Sequence, residues 1–245
     1  MSEMLLCIDA GNTRIKWGLR NGSIWHSTGF VDTLHGATNL PHWDSVPLRI
    51  IISNVAGKEV EADILGRFSE PAAQIHIARA MAEQCGVRNS YRKPGQLGSD
   101  RWAALIGARA LGTGAKLVVV AGTAMTIDAL TEEGVFLGGV IVPGLMLMHR
   151  ALHAGAAQLS MAPGKIEAFP KETADAISSG AMHASAGAVM RMKHALRAHI
   201  GTEPECIVSG GGAPFLTPHL PFPTRIQDNL VLEGLAIIAK EVFDE

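Results

Sequence analysis

Short apolar runs alternate with clusters of small and polar residues along most of this chain. Met4 to Ile8 is apolar, Asp9-Ala-Gly-Asn-Thr-Arg follows, and a second run covers Ile15 to Leu19. The pattern predicts a three-stranded meander over 4–8, 14–20 and 23–28, turned at Asn21-Gly22. Arg49-Ile-Ile-Ile-Ser53 has the length and continuous apolarity of a buried parallel strand. Trp43 and Pro47 fall in an irregular connection before it. Helical spacing covers 58–68, and a further strand is expected at 74–77. Residues 85–98 read as a loop. A helix over 102–111 follows, with small residues on its packed face and Asp100 at its start. Strands alternating with helices predict an α/β fold.

The second half restarts like the first. After the break at Gly112-Thr113-Gly114, Lys116 to Val120 predicts a strand, Ala121-Gly-Thr-Ala124 a tight turn, and Met125 to Leu130 another strand. Strand, Ala-Gly, hydroxyl residue, strand: this repeats the order around Ala10 to Thr13. An internal echo at half the chain length predicts two related lobes, 1–114 and 115–245, around an interlobe cleft. Val135 to Val142 is a further strand, and Pro143-Gly144 turns into a helix over 145–158. A loop is expected over 160–170 and a long helix from Glu172 to about Ile200. Cys206 to Ser209 is a strand ending in Gly210-Gly211-Gly212, and 229–243 is a closing amphipathic helix.

Composition narrows the class. A 245-residue chain with a net charge of −2 has no electrostatic footprint for nucleic acid. Its three cysteines are far apart and form no CxxC, which implies a reducing compartment. The initial apolar run is too short for a signal peptide, and Gly134 to Met148 is broken by glycines and Pro143, too short for a membrane span. A soluble cytoplasmic protein without nucleic-acid or membrane partners is expected.

The candidate chemistry has a bland and a functional version at each point. Asp9 to Thr13 is either an ordinary hairpin turn or an anion site, with Gly11 and Asn12 supplying left-handed backbone and Asp9 near a magnesium ion. Asp100 is either a helix cap or a carboxylate aimed at a substrate. Thr173 is either a cap or a hydroxyl directed at a substrate. His149 and His153 have metal spacing, but no Cys or carboxylate on their helix completes a set, so a solvated or partly packed pair is favoured. The glycines at 210–212 either let a nucleoside pass close to backbone or form a flexible turn.

Four motifs in order change this picture: Asp9-Ala-Gly-Asn-Thr13, Gly98-Ser-Asp-Arg101, Gly122-Thr-Ala-Met-Thr-Ile-Asp128 and Gly138-Gly-Val-Ile-Val-Pro-Gly144. The chain resembles the type III pantothenate kinases over nearly its whole length. That family belongs to the acetate kinase, actin and sugar kinase superfamily, so the resemblance implies two ribonuclease H-like, actin-like ATPase lobes. It also implies transfer of the ATP γ-phosphate to pantothenate, the first step of coenzyme A synthesis, with magnesium, in a homodimer. Asp100 matches the catalytic base. Gly98, Ser99 and Arg101 match the pantothenate-binding turn. Tyr91, the single tyrosine of the chain, matches a pantothenate contact. Thr173 matches a threonine near the same substrate from the dimer partner's side. Asp9, Ala10, Gly11, Asn12, Thr13, Arg14, Ile15 and Lys16 match the first phosphate loop, and Thr123 the second.

One position departs. The family commonly carries an Asp three residues before the second-loop threonine, where it binds a monovalent cation. Val120 stands there, and a valine does not coordinate potassium or ammonium. The expectation is either no potassium activation or a site filled differently. Two other readings compete with pantothenate phosphorylation: a kinase for another small hydroxyl substrate, and a non-catalytic nucleotide-binding regulator of the same fold. The Tyr91, Gly98-to-Arg101 and Thr173 set argues against the first, and Asp100 against the second, since a pure binder needs no base.

Overall fold

The computed structural model describes residues 4–43, 49–68, 73–155 and 162–244. The chain divides into two units, one of residues 1–112 with 229–245 and one of residues 113–228.

In the first unit, β1 (Met4–Ala10) pairs antiparallel with β2 (Arg14–Asn21), which pairs antiparallel with β3 (Ile24–Asp32). On its other side β1 lies parallel to β4 (Arg49–Asn54). Helix α1 (Lys58–Arg67) crosses to β5 (Gln74–Ile77), giving the order β3-β2-β1-β4-β5. Alternation divides the central strands. Leu6, Ile8 and Ala10 of β1, with Ile50 and Ile52 of β4, form a core with Ala37, Leu40, Ile64 and Phe68. Cys7 and Asp9, with their register partners Ile51 and Ser53, point to the opposite face. Trp43 is irregular as expected and packs edge-on against Trp17, with ring centroids 5.7 Å apart. Pro47 lies outside the described residues.

The stretch expected as a loop from Cys85 to Gly98 contains more order than its composition predicts. Strands β6 (Glu83–Gln84) and β7 (Val87–Asn89) form a hairpin turned at Cys85-Gly86. Cys85 sits in the left-handed region at φ 48°. The Glu241 carboxylate holds it, accepting from the Cys85 amide at 3.1 Å and its thiol at 3.2 Å. A one-turn 3-10 helix at Pro94–Gln96 leads into α2 (Ser99–Arg109). This helix begins three residues before its expected start.

The C-terminal helix Leu230–Phe243, assigned to the second lobe by its place in sequence, groups with the first unit. Its reason is steric. A side chain at Gly234 would collide with the Ala103 carbonyl of α2, and one at Gly107 would meet the Leu230 carbonyl at 2.6 Å. The two helices pack backbone to backbone and cover the Asp9 face of the sheet.

In the second unit, β8 (Lys116–Ala121), β9 (Ala124–Leu130) and β10 (Val135–Pro143) form an antiparallel meander. Helices α3 (Leu145–Gly155) and α4 (Thr173–Ile200) follow, the latter ending on Gly201 at φ 77°. Strand β11 (Glu205–Ser209) returns parallel to β8. After the short α5 (Ala213–Leu216), β12 (Thr224–Ile226) lies parallel to β11. The order β10-β9-β8-β11-β12 repeats that of the first unit, meander first and parallel strands on the other flank. Leu117, Val119, Met125, Ile127 and Val208 pack against Met182, Ala186 and Val189 of α4. Residues 156–161, which include the expected end of the α3 helix and the start of the following loop, lie outside the described residues. Among the described residues no helix is long and apolar enough to cross a membrane.

Candidate active site

The turn from Ala10 to Arg14 is built without left-handed backbone. Gly11 and Asn12 are absent from the positive-φ residues, contrary to expectation. Instead the Gly11 amide donates to the Arg14 carbonyl at 3.0 Å, and the Thr33 hydroxyl holds the Gly11 carbonyl at 2.7 Å. A Cβ on Gly11 would press on the Arg14 carbonyl at 3.3 Å, so close approach rather than φ explains the glycine. Asn12, Thr13 and Arg14 are exposed, and the Arg14 guanidinium lies 4.3 Å above the Phe30 ring. Ala10 and Ile15 are wholly buried, which leaves only their backbone to face a ligand.

Asp9 ends β1 on the α2 side of the sheet and is buried. Its cross-strand partner is Lys16. The Oδ1 atom has no hydrogen-bond partner. Burial pushes the Asp9 carboxyl up to about 7. The negative charge of Asp100 pushes the same way, and Lys16 and the Ser53 hydroxyl pull it down. A buried carboxylate with an orphan oxygen and a like charge nearby is a site that favours a cation.

Asp100 stands in the first turn of α2. Gly98 is the N-cap and makes no side-chain cap bond, so neither Gly98 nor Asp100 plays the usual capping role from outside the helix. Asp100 Oδ1 instead accepts from the Arg101 amide at 2.8 Å. Burial raises its carboxyl, while the Arg101 amide and guanidinium pull it back. Gly98 leaves room for this conformation, since a Cβ there would sit 2.5 Å from Asp100 Oδ1. Arg101 is buried and donates to the Tyr91 hydroxyl at 3.1 Å. Tyr91 is held in turn by the Asn89 side chain, which accepts its amide at 3.0 Å. Ser99 turns inward, with its hydroxyl 2.9 Å from that of Ser53. The first unit thus brings together Asp9, Lys16, Tyr91, Gly98, Ser99, Asp100 and Arg101. Ser53, at the polar end of the apolar Arg49–Ser53 run, was missed from sequence. Its only signal there is a hydroxyl closing a buried strand.

In the second unit, Thr123 is exposed on the turn between β8 and β9, closed by the Gly122 amide on the Ala124 carbonyl at 3.2 Å. The Gly144 amide donates to the Thr123 carbonyl at 2.9 Å, and a Cβ on Gly144 would collide with the Gly122 and Thr123 carbonyls. Gly144→Ala is expected to force this turn open and destabilise the protein by about 1–3 kcal/mol. Gly180, mid-helix in α4 with open space at its Cβ position, gives the opposite sign: Gly180→Ala is expected to stabilise by about 0.5–1 kcal/mol. Thermal melts of both variants check the contrast.

Two expectations change here. Gly210 and Gly212 serve packing, since Cβ atoms there would meet the Ala121 backbone at 2.5 and 3.1 Å; only Gly211 is open. Thr173 does not cap α4; it is the exposed first helical residue, after Glu172. Three side chains of that helix cap a preceding loop instead: Asp175, Ser178 and Ser179 accept the amides of Lys165, Gly164 and Glu167 at 2.7, 3.0 and 2.9 Å. His149 and His153 lie on the exposed α3, and among the described residues no group of three metal-ligating side chains occurs.

Comparison with known proteins gives this site its context. Two solved structures share the fold. A protein described as a putative Baf family transcriptional activator from Campylobacter jejuni superposes with a TM-score of 0.66 at 22% identity, covering 98% of this chain and 100% of that one. A putative 2-dehydro-3-deoxygalactonokinase from Sinorhizobium meliloti superposes at 0.57 and 16% identity, covering 98% and 100%. Relatives named type III pantothenate kinase are much nearer in sequence. The Nitrosospira multiformis protein is 46% identical, covering 100% of this chain and 94% of its own, and the Aromatoleum aromaticum protein is 47% identical, covering 97% and 98%. The sequence profile described as type III pantothenate kinase matches residues 5–195. Identity at this level over the whole length, with the profile spanning both units, means that the chain belongs to the type III pantothenate kinase family.

Proposed function

We propose that this chain transfers the γ-phosphoryl group of ATP to the primary hydroxyl of pantothenate, giving 4′-phosphopantothenate for coenzyme A synthesis, with Asp100 as the base. The observation that carries the reading is the first turn of α2. One turn presents a half-buried carboxylate at Asp100 and a buried guanidinium at Arg101 paired with Tyr91. That couples a proton acceptor to a fork of donors suited to the pantothenate carboxylate.

Phosphoryl transfer demands positioning and charge neutralisation more than covalent help from the protein. The pantothenate oxygen attacks the γ-phosphorus, the bond to the β–γ bridging oxygen breaks, and the hydroxyl proton passes to Asp100. The raised pKa of Asp100 strengthens it as an acceptor. Tyr91, Arg101 and the backbone of Gly98 and Ser99 orient the acceptor substrate. The turn from Asp9 to Lys16 holds phosphates through its amides, the Thr13 hydroxyl and the Lys16 ammonium, and Thr123 adds a second hydroxyl contact. The orphan oxygen of Asp9 fits a hard cation. When bound there with the nucleotide, magnesium offsets phosphate charge.

Three further parts belong to the proposal. The protein works in the cytoplasm, consistent with its free cysteines. It works as a homodimer, for which the exposed Ile141, Met146, Leu147 and Leu152 on β10 and α3 offer an apolar surface, and Thr173 serves the partner's substrate. It either lacks monovalent-cation activation or fills that site differently. Such ions take oxygen ligands, and Val120 offers none beside its strand neighbour Thr126.

The test is phosphate transfer from ATP to pantothenate by the purified protein with magnesium, at fixed ionic strength, with and without potassium. Transfer at matching rates in both is expected. Strong stimulation by potassium or ammonium overturns the Val120 argument. No transfer by folded protein that still binds ATP overturns the kinase assignment in favour of a regulatory role.

A further inference from the structure

Thr33 has no place in the chemistry above, yet it holds the turn to which that chemistry gives the nucleotide phosphates. It is half-buried and directly follows β3. Its amide donates to the Thr13 carbonyl at 3.0 Å, and its hydroxyl donates to the Gly11 carbonyl at 2.7 Å. The Arg14 carbonyl is taken by the Gly11 amide at 3.0 Å. Three carbonyls of the turn are thus committed inside the protein, which keeps their negative ends off an incoming anion. The peptide that ends in the Gly11 carbonyl also carries the Asn12 amide. In a trans peptide the two point in opposite directions, so the Thr33 hydroxyl turns the Asn12 amide away from itself. Asn12 is exposed, and among the described residues its amide has no partner.

This peptide is also one that turns over easily. A flip rotates the bonds on both sides of the plane, ψ of Gly11 and φ of Asn12. Glycine tolerates the first, and asparagine is among the few residues that accept a positive φ at the second. The flipped state is the left-handed backbone that the sequence predicts at Asn12, and the structure shows the other state. A flip would break the Thr33 bond and put the Gly11 carbonyl where the Asn12 amide now points.

We propose that Thr33 is a positioning residue for the nucleotide phosphates: its hydroxyl holds the Gly11–Asn12 peptide with the Asn12 amide outward, the orientation that an anion needs. The inference rests on the phosphate-binding role given to this turn above. Holding the peptide in one state removes the fraction of protein whose turn presents an oxygen to the phosphates, and that fraction would otherwise lower the apparent affinity.

Thr33→Val has nearly the same shape and keeps the amide bond to Thr13, but it loses the hydroxyl. It is expected to weaken binding of magnesium-ATP by about 3- to 10-fold, the effect of one hydrogen bond on the population of the competent turn. Binding is read by titration calorimetry of magnesium-ATP against protein without pantothenate, separately from turnover. The KM for pantothenate at saturating ATP should hold, because Tyr91 and Arg101 lie on other elements. Thr33→Ser restores the hydroxyl and should recover most of the affinity. Thr28→Val makes the same exchange at an exposed position of β3 and should change neither readout. Should Thr33→Val not fold, Thr33→Ala is read in its place. Parent-like affinity in the variant without the hydroxyl overturns the inference and leaves Thr33 a structural contact. So does a serine variant as weak as valine, or a pantothenate KM that rises in step with the loss. A folded parent that binds no magnesium-ATP overturns the reading of the turn and the inference with it, whereas a parent that binds it and a Thr33→Val that binds it equally overturn the inference alone.

Discussion

Asp100→Asn is expected to lower kcat for pantothenate phosphorylation by about 10²- to 10⁴-fold, the usual contribution of a positioned general base. The substitution is a clean one in this fold. Asp100 Oδ1 accepts the Arg101 amide at 2.8 Å, and an asparagine Oδ1 can keep that bond, so the start of α2 survives. The Tyr91–Arg101 contact is made by other atoms and should persist, leaving pantothenate binding close to the parent's. What disappears is the proton acceptor. The charge of Asp100 also raises Asp9, so the variant should ionise Asp9 at lower pH and bind magnesium-ATP at least as well as the parent there. A variant that keeps most of its turnover would remove Asp100 from the mechanism. A variant that loses pantothenate affinity and turnover together would make it a binding group.

Asp9→Asn is expected to abolish transfer and yet stabilise the ligand-free protein at pH 8. Burial, and then the Asp100 charge, raise the Asp9 carboxyl from 3.8 to about 7. The sign follows from proton linkage. Between those values the folded state holds a proton that the unfolded state has lost, so stability falls as pH rises through this window and levels off above it. Below the unfolded value both states are protonated and the penalty vanishes. At about 1.36 kcal/mol for each pK unit, the cost to the parent at pH 8 approaches ~4 kcal/mol. Asparagine has the same shape and no charge, so it escapes this cost. Its thermal midpoint should exceed the parent's at pH 8 and match it near pH 4. Adding magnesium-ATP should raise the parent's midpoint and leave the variant's unmoved. Equal midpoints at pH 8, or the same difference at both pH values, would mean that the Asp9 charge is already compensated in the empty protein.

The opposition between these two properties of Asp9 explains why residues around it are so tightly arranged. In the proposed role, a carboxylate that takes a cation with the nucleotide is costly while the site is empty. Lys16 across the hairpin and the Ser53 hydroxyl beside it reduce that cost without filling the orphan oxygen. Strain of this kind at a functional site is held by the surrounding fold. Here the holding elements are α2 and the C-terminal helix, locked together through Gly107 and Gly234.

Most strands were legible in the chain because their signal is local. Apolar runs of strand length at Met4–Ile8, Arg49–Ser53 and Lys116–Val120 need no distant partner to be recognised. The Ala-Gly-hydroxyl echo at Ala10–Thr13 and Ala121–Thr123 likewise announced two units, which share one strand order. The candidate site residues came from the resemblance, and the structure places Asp9, Asp100, Arg101 and Tyr91 in the first unit.

What stayed hidden depends on atoms far apart in sequence. Composition marked Cys85 as loop; a carboxylate at Glu241 turns it into a hairpin corner. Gly210 and Gly212 looked like room for a ligand, but the Ala121 backbone occupies that room. Gly11 and Asn12 looked like left-handed turn residues, and the turn closes with ordinary angles around the Arg14 carbonyl. The last helix looked like the end of the second lobe until two glycines let it settle on α2. Ser53 gave almost no sign, because its partners Asp9 and Ser99 lie on another strand and at the start of a helix. Sequence by itself determined the strands, the repeat and the family, since periodicity and motif order are properties of neighbours along the chain. Only the tertiary structure decided what each glycine makes room for and which side chains meet around Asp9 and Asp100, because close contact is set by how strands and helices meet in space.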